Sequence, residues 1–284
     1  MQNSNSIQQR KGIIKFDPDT AKTLPISTNR KRIKFWIVER EYNGLTLSIQ
    51  AFESLNAYDL IALFQMLDDY SKNNEKWEYQ GTMQINNEIK RILKKRNFDL
   101  KELCKQRKIS TNKNNRKSIS ESFERWYKAE LIYKYKEENP TEIHTRYIFE
   151  YEVDKNFEKM TIVANTNFLD FCLKNGMAMN WERLIKYGKS YYGLQLDIYL
   201  QFNTIKIRKK NTKYAYPNII KEETLFQHLG INDEIKDIRE KRRKVKQAFQ
   251  KFEEITGQKY IYNKLERKWI KESYFNYLQE RNKK

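Results

Sequence analysis

The sequence predicts an α+β fold, mainly helical with small β-hairpins, and three observations carry that expectation. Apolar residues recur at helical spacing, as Leu60, Leu63, Phe64 and Leu67 do. Short runs rich in Ile, Tyr, Phe and Val alternate with polar residues around turn signals. A short helix, a polar turn, a longer amphipathic helix and two β-rich runs follow one another in that order twice.

Residues 1–34 mix Asn, Ser and Gln with Arg10, Lys11, Arg30, Lys31, Arg32 and Lys34, and read as a basic, loosely ordered arm. Residues 35–52 contain FWIVER and LTLSIQAF, whose alternation suits strand. NAYDLIALFQMLDDYSK follows as a helix with Asn56 as its N-cap. FDLKELCKQRKIS reads as a short helix capped by Asp99, with Leu100 and Leu103 inward and Ile109 closing it. STNKNNRKS is a polar turn. SISESFERWYKAELI then places Ile119, Phe123 and Trp126 at i, i+4 and i+7, an amphipathic helix. LIYKYKEENPTEIHTRYIFEYEV gives two β-rich runs around a turn at Asn139-Pro140. Short helix, turn, longer helix and hairpin is the order of a winged helix-turn-helix.

The second half repeats it. NTNFLDFCLKN, MNWERLIKYG and YYGLQLDIYLQFNTI read as helical, and Pro217 breaks the chain. IIKEETLFQHLGI supplies a short helix with Leu225 and Leu229 inward and Gly230 as its stop. DIREKRRKVKQAFQKFEEITG is the longer helix, with Ile235, Ile238, Val245, Phe249, Phe252 and Ile255 as its apolar seam. GQKYIYNKLERKWIKESYF reads as a hairpin around Asn263-Lys264. Setting LCKQRKI against LFQHLGI, and ESFERWYKAE against QAFQKFEEIT, gives an offset of roughly 120–125 residues. The expectation is therefore two tandem winged helix-turn-helix domains, 35–155 and 160–284, behind the arm. The alternative is one irregular α+β domain with a chance echo.

Composition bounds the function. Apolar residues make up 39% of the 284, and aromatics 14%, which supplies a packed core. Lys and Arg number 56 against 37 Asp and Glu, a net charge of +19 that favours polyanions. No apolar run approaches the roughly 20 residues that span a bilayer, and MQNSNSIQQRKGIIKF lacks the apolar core of a signal peptide. Membrane partners are therefore not expected. Cys104 and Cys172 give no disulfide framework and suit a reduced cytoplasm.

The helix at 237–257 localises the charge. Its first turns hold Arg239, Lys241, Arg242, Arg243, Lys244 and Lys246 with one acid, Glu240. Like charges repel along a helix, so the missing anions are expected from outside, and the major groove of duplex DNA admits such a helix. In the first domain Asn112, Lys113, Asn115, Arg116, Lys117 and Ser120 cluster at the start of the longer helix, where amides suit base edges as well as phosphates. Lys134, Lys136 and Arg146 in the first hairpin, and Lys264, Arg267 and Lys268 in the second, are candidate wing contacts. For any one of them the bland reading is a solvated surface charge.

Catalysis finds little footing. Asp17-Pro18-Asp19 and Asp68-Asp69 are the closest carboxylate pairs, and a loop and a helix end account for them. His144 and His228 form no His-x-His pair, and Tyr191-Tyr192 fits a helix face better than a nucleophile. No Gly-x-x-x-x-Gly-Lys-Ser/Thr phosphate loop appears. Both cysteines read as small core residues. No catalytic residue, metal or cofactor is expected.

YDLIALFQMLDDYSK ahead of the first short helix, then KSYYGLQLDIYLQF, Pro217 and LFQHLGI, resembles the plasmid replication initiators with two winged-helix domains. SYYGLQLDIYLQF is the most specific stretch, similar to the Ser-x-x-x-Leu-x-Leu-Asp-x-Tyr segment that opens the C-terminal domain in one branch of them. AFQKFEEITG is similar to that domain's basic helix and turn. The resemblance covers roughly residues 45–275, and the arm is longer and more basic than the skeleton requires. It implies a protein that binds direct repeats (iterons) in an origin, helps open AT-rich DNA and recruits host initiation and helicase proteins. It also implies a homodimer, chiefly through the N-terminal domain, that represses its own gene. Arg239, Arg242, Arg243 and Lys246 would then make the main base contacts. A transcriptional regulator without an origin role is the alternative, and a nuclease or relaxase a more distant one.

Overall fold

The computed structural model describes residues 13–16, 34–42, 45–84, 90–135, 142–175, 177–188, 190–203, 205–207, 213–231 and 235–281. The chain divides into two units, Met1–Ile185 and Lys186–Lys284. The sequence expectation opens its second domain at residue 160, whereas Lys159–Asn165 and Thr166–Asn175 fall in the first unit.

In the first unit β1 (Ile13–Phe16), β2 (Lys34–Tyr42) and β3 (Leu45–Glu53) precede α1 (Ala57–Lys72). Next come β4 (Glu78–Gln84), β5 (Lys90–Asp99), α2 (Leu100–Gln106) and α3 (Lys113–Lys128). β6 (Glu130–Tyr135), β7 (Glu142–Thr145), β8 (Ile148–Val153) and β9 (Lys159–Asn165) follow, then α4 (Thr166–Asn175), β10 (Met177–Asn180) and α5 (Trp181–Ile185). The strands form antiparallel sheets in the orders β2-β3-β6-β7, β4-β5-β9-β8 and β1-β10. The first unit thus carries more strand than the small hairpins expected, and the arm contributes β1, paired Ile13↔Asn180 to Phe16↔Met177. The rest of the arm before Lys34, and the turn at Asn139-Pro140, lie outside the described residues.

α1 starts where its capping chemistry dictates. The Asn56 side chain accepts from Tyr58 N–H at 3.0 Å, and Asp59 reaches back to accept from Asn56 N–H at 2.8 Å. Leu60, Leu63, Phe64 and Leu67 are buried, as are Ile119, Phe123 and Trp126 of α3, which packs on α1. Asn56→Ala should cost about 1 kcal/mol of stability through the lost cap, read as a shifted urea midpoint with an unchanged slope. β5 hid from the sequence because RILKKRNF is cationic. Its charges are accommodated: Arg96 donates twice to buried Asp69, at 2.7 and 3.0 Å, and Lys94 lies 5.3 Å from the Tyr70 ring.

The second unit comprises α6 (Tyr191–Phe202), β11 (Ile205–Ile207), β12 (Lys213–Ala215), β13 (Ile219–Lys221), α7 (Glu222–His228), α8 (Ile238–Thr256), β14 (Tyr260–Asn263), β15 (Lys268–Lys271) and α9 (Glu272–Arg281). α6 buries Leu194, Leu196, Ile198, Leu200 and Phe202 on several faces, as a central core helix does. Its Gly193 is required: a Cβ there would sit 2.8 Å from the Tyr187 ring. α8 packs on α6 through Val245, Ala248, Phe249 and Phe252. Asp237 caps its start, and Gly257, at φ 70°, ends it in the left-handed conformation that glycine adopts without strain. Ile238, expected in the seam, is 43% exposed instead. It precedes the point where α8 meets the core.

The two units repeat one arrangement. Helix α1, strand β5, helices α2 and α3, and hairpin β8-β9 in the first correspond to α6, β13, α7, α8 and β14-β15 in the second. The sheet orders match: β5-β9-β8 and β13-β15-β14. The first N–H of each short helix donates to the residue before the last strand, Leu100 to Glu158 and Glu222 to Arg267, both at 2.9 Å. Each short helix spans seven residues and ends before a left-handed residue, Lys108 (φ 56°) or Gly230 (φ 66°).

Candidate nucleic-acid interface

The first hairpin marked in the sequence is not the one that answers to β14-β15. β6 and β7 leave to extend the β2-β3 sheet, because Leu131 and Ile132 are buried there and β6 pairs with β3 from Leu45↔Tyr135 to Gln50↔Glu130. Lys134 therefore lies on a sheet strand, Arg146 is exposed between β7 and β8, and Lys136 lies outside the described residues. The hairpin beside α3 is β8-β9. Asp154 shapes its turn by accepting from the N–H groups of Asn156, Glu158 and Lys159, with its carboxylate held below the ordinary range mainly by these bonds. Lys155 and Lys159 stand exposed on it and were not singled out. The Asp-Lys-Asn turn signal could have found them.

α3 begins inside the stretch read as a turn, so Lys113, Asn115, Arg116 and Lys117 occupy its first turns. Asn112 is the N-cap, accepting from Asn115 N–H at 2.8 Å, and the Asn115 amide donates to Ser110. Arg116 turns away from solvent, donating to the carbonyls of Phe157 at 2.7 Å, Thr111 at 2.6 Å and Asn156 at 3.2 Å. It braces the β8-β9 turn against the helix. Ser120 is fully buried and accepts from the Tyr151 hydroxyl, which removes it as a contact. Lys113, 6.0 Å from the Phe157 ring, and Lys117, 3.8 Å from Glu121, remain exposed.

On α8 the cations divide. Lys241 lies over the Phe226 ring at 5.7 Å and Lys244 over Tyr192 at 5.8 Å, which directs both towards α7 and α6. Arg242 forms a two-pronged pair with buried Glu222, Nε to Oε2 at 2.8 Å and Nη2 to Oε1 at 3.0 Å. The Tyr262 hydroxyl donates to the same carboxylate. Burial raises the Glu222 pKa, but the hydrogen bonds from Arg242 and Tyr262 outweigh it, and the net shift is downward. Arg242 is thus a brace between α8, α7 and β14 instead of a free base reader. Arg116 and Arg242 hold corresponding places, each about one turn into the long helix.

Arg239, Arg243, Lys246 and Gln250 recur at i, i+4, i+7 and i+11, one stripe along α8. Arg243 pairs with Glu240 at 2.6 Å on the surface, a bond that is weak in solvent. The side chains of Arg239 and Lys246 have no ion-pair partner among the described residues. The stripe borders a cleft of about 620 Å³ against β14 and β15, floored by Phe249, Tyr260 and Trp269. Phe249 stacks on Trp269 at 4.3 Å, which fixes α8 to the hairpin. Gln250 was missed, although an exposed amide in register with three cations was readable from the spacing. In the second hairpin Lys264 and Arg267 are exposed in the turn, and Lys268 lies 3.4 Å from Glu266.

Among the described residues no group of His, Cys, Asp and Glu is placed to hold a metal ion, and no helix is long and apolar enough to cross a membrane. Cys104 and Cys172 are buried.

No protein-family model matches the chain, and no curated protein matches it. Solved structures similar in fold include two of RctB domains. A selenomethionine derivative of domains 2 and 3 of RctB superposes with TM-score 0.58 at 11% identity, covering 87% of this chain and 94% of that one. RctB domains 2–3 superpose with TM-score 0.54 at 13% identity, covering 92% and 99%. The chain therefore has a mixed α/β fold with antiparallel sheets like that of these RctB domains.

Proposed function

We propose that this chain initiates replication by binding duplex DNA with two winged-helix domains, without cutting it. The observation that carries the proposal is the repeat itself: each unit presents a long helix whose solvent face bears exposed cations beside a hairpin that bears more. A helix with an apolar back and a cationic front suits the major groove, and the hairpin suits the flanking phosphates. Arg239, Arg243, Lys246 and Gln250 would meet base edges and phosphates from α8, with Lys113 and Lys117 the lighter counterpart on α3. Lys264, Arg267 and Lys268, and Lys155 and Lys159, would meet backbone.

The fold shared with domains of RctB, a replication initiator, favours that role over promoter control alone. Plasmid direct repeats as the target, host initiation and helicase proteins as partners, a homodimer that represses its own gene, and a cytoplasmic setting complete the reading.

Capture from a random duplex pool tests it. The full chain should enrich one short sequence, and a plasmid carrying only this gene and tandem copies of that sequence should replicate. Supercoiled plasmid incubated with the chain and Mg²⁺ should stay uncut. Enrichment without replication would support the promoter-binding alternative, and nicked product would overturn the non-cutting role.

A further inference from the structure

The turn joining β14 to β15 carries a leucine at its tip. Leu265 is 97% exposed, the highest value for a large apolar side chain among the described residues. Its position is not slack. Asn263 Oδ1 accepts from Leu265 N–H at 3.1 Å and from Glu266 N–H at 3.2 Å, and the strands stay paired up to Asn263↔Lys268. Arg267 closes the turn in the left-handed region (φ 50°), and its carbonyl is held by Glu222 N–H. A rigid ribbon therefore carries one apolar side chain at its tip, with Lys264 and Arg267 exposed beside it.

The first unit does otherwise. Its corresponding turn also holds a large apolar residue, Phe157, but Arg116 binds the Phe157 carbonyl and Lys113 lies near the ring. Phe157 is drawn against α3; Leu265 is presented outward. Holding a leucine in water on a stiff turn is unfavourable, and the neighbouring cations would repel a basic partner surface.

We propose that this tip is a minor-groove wedge: Leu265 enters between two stacked base pairs while Lys264 and Arg267 contact the adjoining phosphates. Apolar wedges of this kind unstack a step and kink the duplex by about 20–90°. Pyrimidine–purine steps yield most readily, so TA is the expected site. The inference rests on the reading that α8 lies in the major groove, which would set the hairpin tip over the neighbouring minor groove. A lone leucine with two cations is a poor membrane anchor, since interfacial binding scales with buried apolar area.

The test is permanganate oxidation, which marks unstacked thymines. The full chain is bound at low salt to an AT-rich duplex of about 30 base pairs, three helical turns. Reactivity at TA thymines should rise several-fold over free DNA. At protein concentrations that saturate the duplex, Leu265→Ala, an exposed change that leaves the fold intact, should return reactivity to the level of free DNA; Leu265→Phe should restore it. Equal reactivity with Leu265→Ala, or tight wild-type binding with none, overturns the wedge and leaves the duplex-binding reading standing. No binding of the duplex overturns both. Binding to equimolar phosphatidylserine–phosphatidylcholine vesicles that depends on Leu265, with no thymine response, would reassign the tip to membrane.

Discussion

Alanine at both Arg239 and Lys246 should lower affinity for duplex DNA about 100-fold, taking one charge-assisted contact each at tenfold or so. These two side chains lack ion-pair partners among the described residues, so removing them leaves no carboxylate stranded. The wild-type chain, engaging six to ten phosphates, should lose about 10³–10⁵ in affinity between 50 and 200 mM salt. The double variant should flatten the log–log salt slope by about 1.8, at roughly 0.9 per phosphate. Fluorescence anisotropy across a salt series measures both, and circular dichroism checks the fold. Unchanged affinity and slope in a folded variant would remove α8 from the interface.

Glu222→Ala should destabilise the second unit by about 3 kcal/mol, because it strands the Arg242 guanidinium and the Tyr262 hydroxyl together. For a unit near 100 residues that amounts to a fall of about 15 °C in melting temperature. Acid should reproduce the effect in the wild type. The folded pKa of Glu222 lies below its ordinary 4.5, so its contribution is fully present above that value and is lost as pH falls through the folded pKa. The variant should melt with a weaker pH dependence in that window. A melting curve and acid profile matching wild type would show that the carboxylate braces nothing.

How much of this could be read in advance depended on sequence distance. The caps at Asn56, Asp99 and Gly230, the seam Val245, Phe249 and Phe252, and the turn after Asn263 each follow from chemistry within a few residues, and each is present. The order short helix, longer helix, hairpin in the second unit followed from them, whereas β11, β12, β13 and α9 did not. The inward turn of Arg242 depends on Glu222, twenty residues earlier, and in sequence that glutamate looks like an ordinary acid at a helix start. Ser120 looked polar and available until Tyr151, thirty-one residues on, supplied its partner. The displaced hairpin was harder still. β6 alternates as a wing strand would, and only its register with β3 assigns it elsewhere.

The pairing of β1 with β10 constrains how the protein is made. Ile13 and Asn180 are partners, so an early strand must wait for one synthesised near the end of its unit. At about 5–20 residues per second on the ribosome, that delay is about 10–30 s. The second unit closes its β14-β15 hairpin within a dozen residues, and β13 waits only from Ile219 to its partner Ile270, a shorter delay. An N-terminal segment kept idle for that time is open to cellular chaperones and proteases.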